Sequence, residues 1–129
     1  MMPASTISDF REAVERGDAD GVLATFAPDI TFNNPVTFRP FEGRETLAFV
    51  VPKLLEVWQD LNYVAELEGD GVVGLVFEAG VGSRSAKGID LLHLNEDGLI
   101  DEVTVMVRPL TGLEELAGEM KAALSPAGG

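Results

Sequence analysis

Asp90 lies inside the apolar run Ile89-Asp90-Leu91-Leu92-His93-Leu94, and its carboxyl is the group best placed to do proton chemistry. The run ends at Asn95-Glu96-Asp97-Gly98 and another hydrophobic segment follows, so it reads as one arm of a β-hairpin. Within such a strand a carboxylate is costly to bury unless a partner or a proton neutralises it. Two roles follow. An inward Asp90 lines a site, has a raised pKa and serves as a general acid or base; a structural Asp90 pairs with Arg84 or Lys87. The second polar candidate is Asn34. Period-two alternation puts it on one face with Ile30 and Phe32, just before Pro35, where it is either a pocket amide or a turn residue. His93 is out of phase with Asp90 and belongs to the other face of the sheet.

The elements that must position these groups are readable from spacing. A first helix starts around Ser5 or Thr6, carries Ile7, Phe10, Ala13 and Val14, and stops at Gly17. Asp18 caps a short second helix with Val22, Leu23 and Phe26, closed by Ala27-Pro28. A short strand covers residues 29–34 and a loop residues 36–43. A third helix spans 44–58, with Pro52 expected to kink or split it. Strands then follow: 61–68, 72–79, 89–94 and 99–108, with the glycine-rich 80–88 as a loose connection. The strand 61–68 alternates Leu61, Tyr63, Ala65 and Leu67 with Asn62, Val64, Glu66 and Glu68. In the last strand Val103, Val105 and Val107 share one face. Thr111-Gly112-Leu113-Glu114 reads as a capping box. The terminal helix it opens has Leu113, Leu116, Ala117, Met120 and Leu124 on its apolar side, and residues 125–129 form a disordered tail.

Helices followed by an antiparallel meander imply an α+β fold, with helices covering one face of a curved sheet. The resulting cone leaves a mouth for a small apolar ligand. A length of 129 residues fits a single domain, with its core at about 5–124. The longest apolar stretch, 47–51 and on past Pro52 to 55, is too short to span a membrane. No basic segment followed by an apolar one marks the N-terminus as a signal peptide. With no cysteine and one histidine, thiolate zinc sites, disulfides, cysteine nucleophiles and histidine-rich metal sites are excluded. This usage fits a cytoplasmic location. A formal net charge of −13 repels phosphate backbones and anionic lipid surfaces, so neither nucleic acid nor a membrane is an expected partner.

Several strings, in order, resemble the nuclear transport factor 2-like superfamily and its ketosteroid-isomerase-like and SnoaL-like branches. They are Ala13-Val14-Glu15-Arg16-Gly17-Asp18, Phe26-Ala27-Pro28-Asp29-Ile30-Thr31-Phe32, Phe41-Glu42-Gly43-Arg44-Glu45, and the Asp90 run with its Asp97-Gly98 turn. The resemblance covers residues 5–108 and implies a cystatin-like α+β barrel. Ketosteroid isomerases hold an enolate with a carboxylate base, a tyrosine and a protonated aspartic acid. By this resemblance the protonated acid falls on Asp90, the base on Asn34 and the tyrosine on Phe10. Neither an amide nor a phenyl ring can fill its assigned role, so the familiar steroid isomerisation is not expected. Phe32-Asn33-Asn34 is also similar to the water-holding residues of limonene-epoxide hydrolases. Their Asp-Arg-Asp machinery, however, would fall on Gly82, Gly80 and Val105, with only Arg84 nearby.

The resemblance to SnoaL-like proteins therefore implies a mostly apolar pocket for a small hydrophobic molecule. Isomerase, cyclase or hydrolase chemistry without a cofactor would use Asp90 as acid/base and Asn34 as an orienting donor. The expected walls are Phe10, Phe32, Trp58, Tyr63 and Phe77, with Val103, Val105 and Val107 from the last strand. The alternative is a non-catalytic ligand-binding or dimerisation module with a structural Asp90. On the reverse face Thr104, Met106, Leu91 and His93 form a mixed surface suited to a homodimer, the family's common pairing.

Overall fold

Schellman-type bonds end the first helix: the N–H of Asp18 reaches the Ala13 carbonyl at 2.8 Å and that of Gly17 reaches Val14 at 3.1 Å. Gly17 supplies the positive φ, 72°, that this ending requires. The computed structural model describes residues 2–124, so the tail expected at 125–129 lies outside the described residues. Helix α1 (Met2–Glu15) is followed by α2 (Ala19–Leu23), β1 (Phe26–Asn33), β2 (Phe41–Glu42) and α3 (Arg44–Val57). Strands β3 (Gln59–Gly69), β4 (Val72–Val81), β5 (Arg84–Leu94) and β6 (Ile100–Arg108) precede α4 (Leu110–Leu124). Asp18 caps α2 through an Oδ1 that accepts the Gly21 N–H at 2.9 Å.

The fold is α+β: helices pack on a six-stranded, curved, unclosed sheet of order β2-β1-β6-β5-β4-β3. The meander β3 to β6 is antiparallel, while β1 joins β6 in parallel, which makes the sheet mixed. Leu75, Phe77, Leu92 and Val103 point inward and meet Phe26, Ile30 and Leu47 in one core. Alternate residues face out, as the period of two requires.

Four expectations need correction. Ala27-Pro28 does not close α2 but lies inside β1. The register with β6 shifts between Phe26 and Thr31, and a bulge is where a strand tolerates proline. Residues 41–42, expected in a loop, pair with β1. Pro52 does not split α3, which continues to Val57. The carbonyl left without its N–H partner belongs to Ala48 on the exposed side, and Leu47, Val50, Val51 and Val57 anchor the other side. Residues 80–88 are ladder, not loose connection: Gly80 pairs with Ser85 and Phe77 with Gly88. Only Gly82 and Ser83 turn the chain, with Gly82 at φ 56°.

Candidate functional site

Strand β5 carries Asp90 inward between Leu75 of β4 and Val105 of β6, its partners on either side. The residue is 7% exposed, and neither of the expected cations pairs with it. Lys87, one expected partner, lies 3.8 Å from Glu78 instead, and Arg84 is exposed at the start of β5. The observed partner is Tyr63, whose hydroxyl donates to Asp90 Oδ2 at 2.7 Å. Burial pushes the Asp90 carboxyl from 3.8 up to about 7, while the phenol bond pulls the other way. Burial and the adjacent Asp90 charge raise the Tyr63 phenol well above its ordinary value, so it remains a donor.

The pair sits in a cavity of about 480 Å³ between the sheet, α1, α3 and α4. Apolar side chains make nearly all of its wall, and Asp90 is the only carboxyl among the described lining residues. Phe10 and Phe77 flank Tyr63 with ring centroids 6.4 Å and 6.2 Å away, the second edge-on. Trp58 stacks edge-on against Phe77 at 5.3 Å. Phe32, Val103 and Val105 complete the sheet side, and Leu116, Ala117, Met120 and Leu124 of α4 form part of the wall. Val107, expected among them, is not part of the lining. It pairs with Gly88 and packs toward Val81 and Leu116, because the inward face of β6 leaves the cavity at that rung.

Asn34 reaches the rim, yet its amide is engaged in the loop that follows β1. Oδ1 accepts from the N–H groups of Val36 and Thr37 at 3.0 Å and 2.9 Å, and Nδ2 donates to the Arg39 carbonyl at 3.1 Å. The turn role weighed for asparagine is the one observed. His93 faces out, with Nδ1 2.6 Å from Asp101. Among the described residues no three of His, Cys, Asp or Glu gather to hold a metal ion, and no helix is long and apolar enough to cross a membrane.

Residues 7–103 match the SnoaL-like domain. The chain belongs to the SnoaL-like family. A steroid delta-isomerase from Pseudomonas aeruginosa is 35% identical to this SnoaL-like chain, with a TM-score of 0.87 over 92% of it and 88% of the isomerase. An uncharacterized protein with a cystatin-like fold from Silicibacter pomeroyi is 32% identical, with a TM-score of 0.86 over 91% of this chain and 83% of its own. The epoxide hydrolase/cyclase-like enzyme SalBIII, of pyran ring formation in salinomycin, shares the fold alone. It is 19% identical, with a TM-score of 0.69 over 85% and 92% of the two chains. No curated protein sequence matches.

Sequence reasoning placed Tyr63 on a wall and missed its bond to Asp90. The available signal was the sole tyrosine on the inward phase of β3, two strands from the sole carboxylate expected to point inward. The resemblance put the phenol on α1, at Phe10, whereas here it arrives from β3.

Proposed function

We propose that this SnoaL-like protein binds a small hydrophobic carbonyl compound, with Asp90 and Tyr63 as the polar end of the site. The observation that carries this reading is a carboxyl that accepts a hydrogen bond from a phenol in the wall of a mostly apolar cavity, where it is the only carboxyl among the described lining residues. With its pKa near 7, Asp90 is present both protonated and ionised near neutrality. The protonated form donates a hydrogen bond to a ligand oxygen while its other oxygen accepts from the Tyr63 hydroxyl. The ionised form can take a proton from carbon next to that carbonyl and return it elsewhere, which is isomerase or cyclase chemistry without a cofactor. Asn34 is left out, since its amide serves the loop. The resemblance to a steroid delta-isomerase at 35% identity makes steroid ketones the first compounds to try.

The test is thermal denaturation with steroid ketones, polyketide ketones, terpenoid epoxides and fatty acids, repeated on Asp90→Ala and Tyr63→Phe. A ligand at 100 times its Kd stabilises by about 2.7 kcal/mol. At least one ketone should do so, with affinity falling about tenfold or more in each variant, as loss of a buried hydrogen bond implies. A ketone that binds equally well to both variants, or a panel without any binder, would contradict the reading.

One observation favours a second, non-catalytic reading. With Asn34 committed to the loop, Asp90 is the one carboxyl among the described lining residues, and no second carboxylate among them shares acid and base roles. Binding without turnover is the result expected of that arrangement. We also propose that two copies pair through the outer face of the sheet, where Met106 is 50% exposed and Val64 46%.

A further inference from the structure

Tyr63 lies where the sheet holds it least. Strand β3 is an edge of the sheet, and its ladder with β4 shifts register twice, between Gln59 and Asn62 and between Tyr63 and Ala65. Regular pairing therefore covers only Asn62 and Tyr63 between the two irregularities. On the open side of that stretch stands α1. Glu15 Oε2 accepts the Tyr63 backbone N–H at 2.8 Å. One helical turn earlier, the Arg11 guanidinium lies 5.7 Å from the Tyr63 ring centroid, and its Nη1 pairs with Glu66 Oε1 of β3 at 2.9 Å. Phe10, beside Arg11, packs on Tyr63 from the cavity side. Backbone, ring and strand are thus each gripped from one helix face.

We propose that Glu15 and Arg11 are positioning residues: from outside the cavity they fix Tyr63 so that its hydroxyl meets Asp90. The inference rests on the reading of the Tyr63–Asp90 pair as the polar end of the ligand site. The geometry explains why an edge strand with two irregularities still delivers a 2.7 Å bond two strands away. It also gives the outer cleft lined by Ser8, Arg11, Glu12, Glu15 and Glu66 a purpose. The charged groups facing Tyr63 are Arg11 and Glu15 of α1, Glu66 of β3 through its pair with Arg11, and Asp90 of β5. The Glu15 charge raises the phenol pKa and the Arg11 charge lowers it, so both reach the hydroxyl electrostatically.

The test is an NMR titration of the Asp90 side-chain carboxyl in the unsubstituted protein, Tyr63→Phe, Glu15→Ala and Glu15→Gln. The phenol bond lowers the Asp90 midpoint, so Tyr63→Phe should raise it. Glu15→Ala should raise it by most of the same amount, and Glu15→Gln, which keeps an acceptor oxygen, should restore it. A midpoint unmoved by Glu15→Ala but raised by Tyr63→Phe overturns the positioning role and leaves the pair intact. A midpoint unmoved by Tyr63→Phe overturns the pair, and the positioning role with it. Should Glu15→Ala fail to fold, Glu15→Asp decides: its shorter side chain withdraws the acceptor from the Tyr63 N–H, so the Asp90 midpoint should rise, and an unmoved midpoint overturns the positioning role.

Discussion

Asp90 is shielded from water on a strand whose neighbours are Leu75 and Val105, and a phenol donates a hydrogen bond to it. Ionising it there costs more than ionising it in an unfolded chain, so the native state keeps its proton to about pH 7 while the unfolded state loses it near 3.8. The sign follows from linkage. Between those two values the unfolded chain binds fewer protons than the native one, so stability falls as pH rises through the interval and levels off above it. Each pH unit of that interval is worth about 1.36 kcal/mol, which puts the loss on the order of 4 kcal/mol. Asp90→Asn has no proton to lose and keeps an oxygen for Tyr63. Its stability relative to the unsubstituted protein, from urea unfolding, should rise by a few kcal/mol between pH 4 and pH 8. A difference that stays constant over that range contradicts the account. Asp90 was legible as an odd carboxylate in an apolar strand. Its partner was legible only as an inward tyrosine on β3, because the rung that tyrosine occupies depends on register shifts that alternation does not encode.

At the level of elements, β4 and β5 meet closely where Gly88 faces Phe77. A Cβ at Gly88 would lie 2.5 Å from Phe77 Cζ and 2.6 Å from the Met106 carbonyl oxygen, and the latter is backbone that cannot swing aside. Gly88→Ala should therefore destabilise by about 1–3 kcal/mol. It should also push the Phe77 ring toward Tyr63, weakening the hydroxyl's hold on Asp90. Chemical denaturation measures the first effect, and unaltered stability would show that the ladder has slack there. This same glycine misled the sequence reading. Gly80, Gly82 and Gly88 look like a loop by composition, yet only Gly82 turns the chain, and Gly88 gives up its side chain to a ring. Helix α3 shows the converse. Pro52 argued for a break, but the buried side of the helix outweighs one lost hydrogen bond on its exposed side.

For the molecule as a whole, the order helices, meander, helix was enough to give the α+β class, because alternating apolar positions must find one shared core. The pairing of β1 with β6 was not readable, since parallel contacts between distant segments leave no local signal. The outer sheet face bears on assembly. If Met106 and Val64 are covered by a second copy, light scattering at micromolar concentration should give twice 13.8 kDa. Met106→Glu should return the mass to that of one chain, and a single-chain mass without substitution contradicts the proposed pairing. The cavity draws on several layers: β3 brings Tyr63, β5 brings Asp90, and α1, α3 and α4 supply much of the remaining wall. An ordinary carboxyl titration would mean that this enclosure does not exist. The decisive measurement is the pH titration of the Asp90 side-chain carboxyl by NMR, without ligand. The account requires a midpoint near 7; a midpoint at or below the ordinary aspartate value of about 3.9 would contradict it.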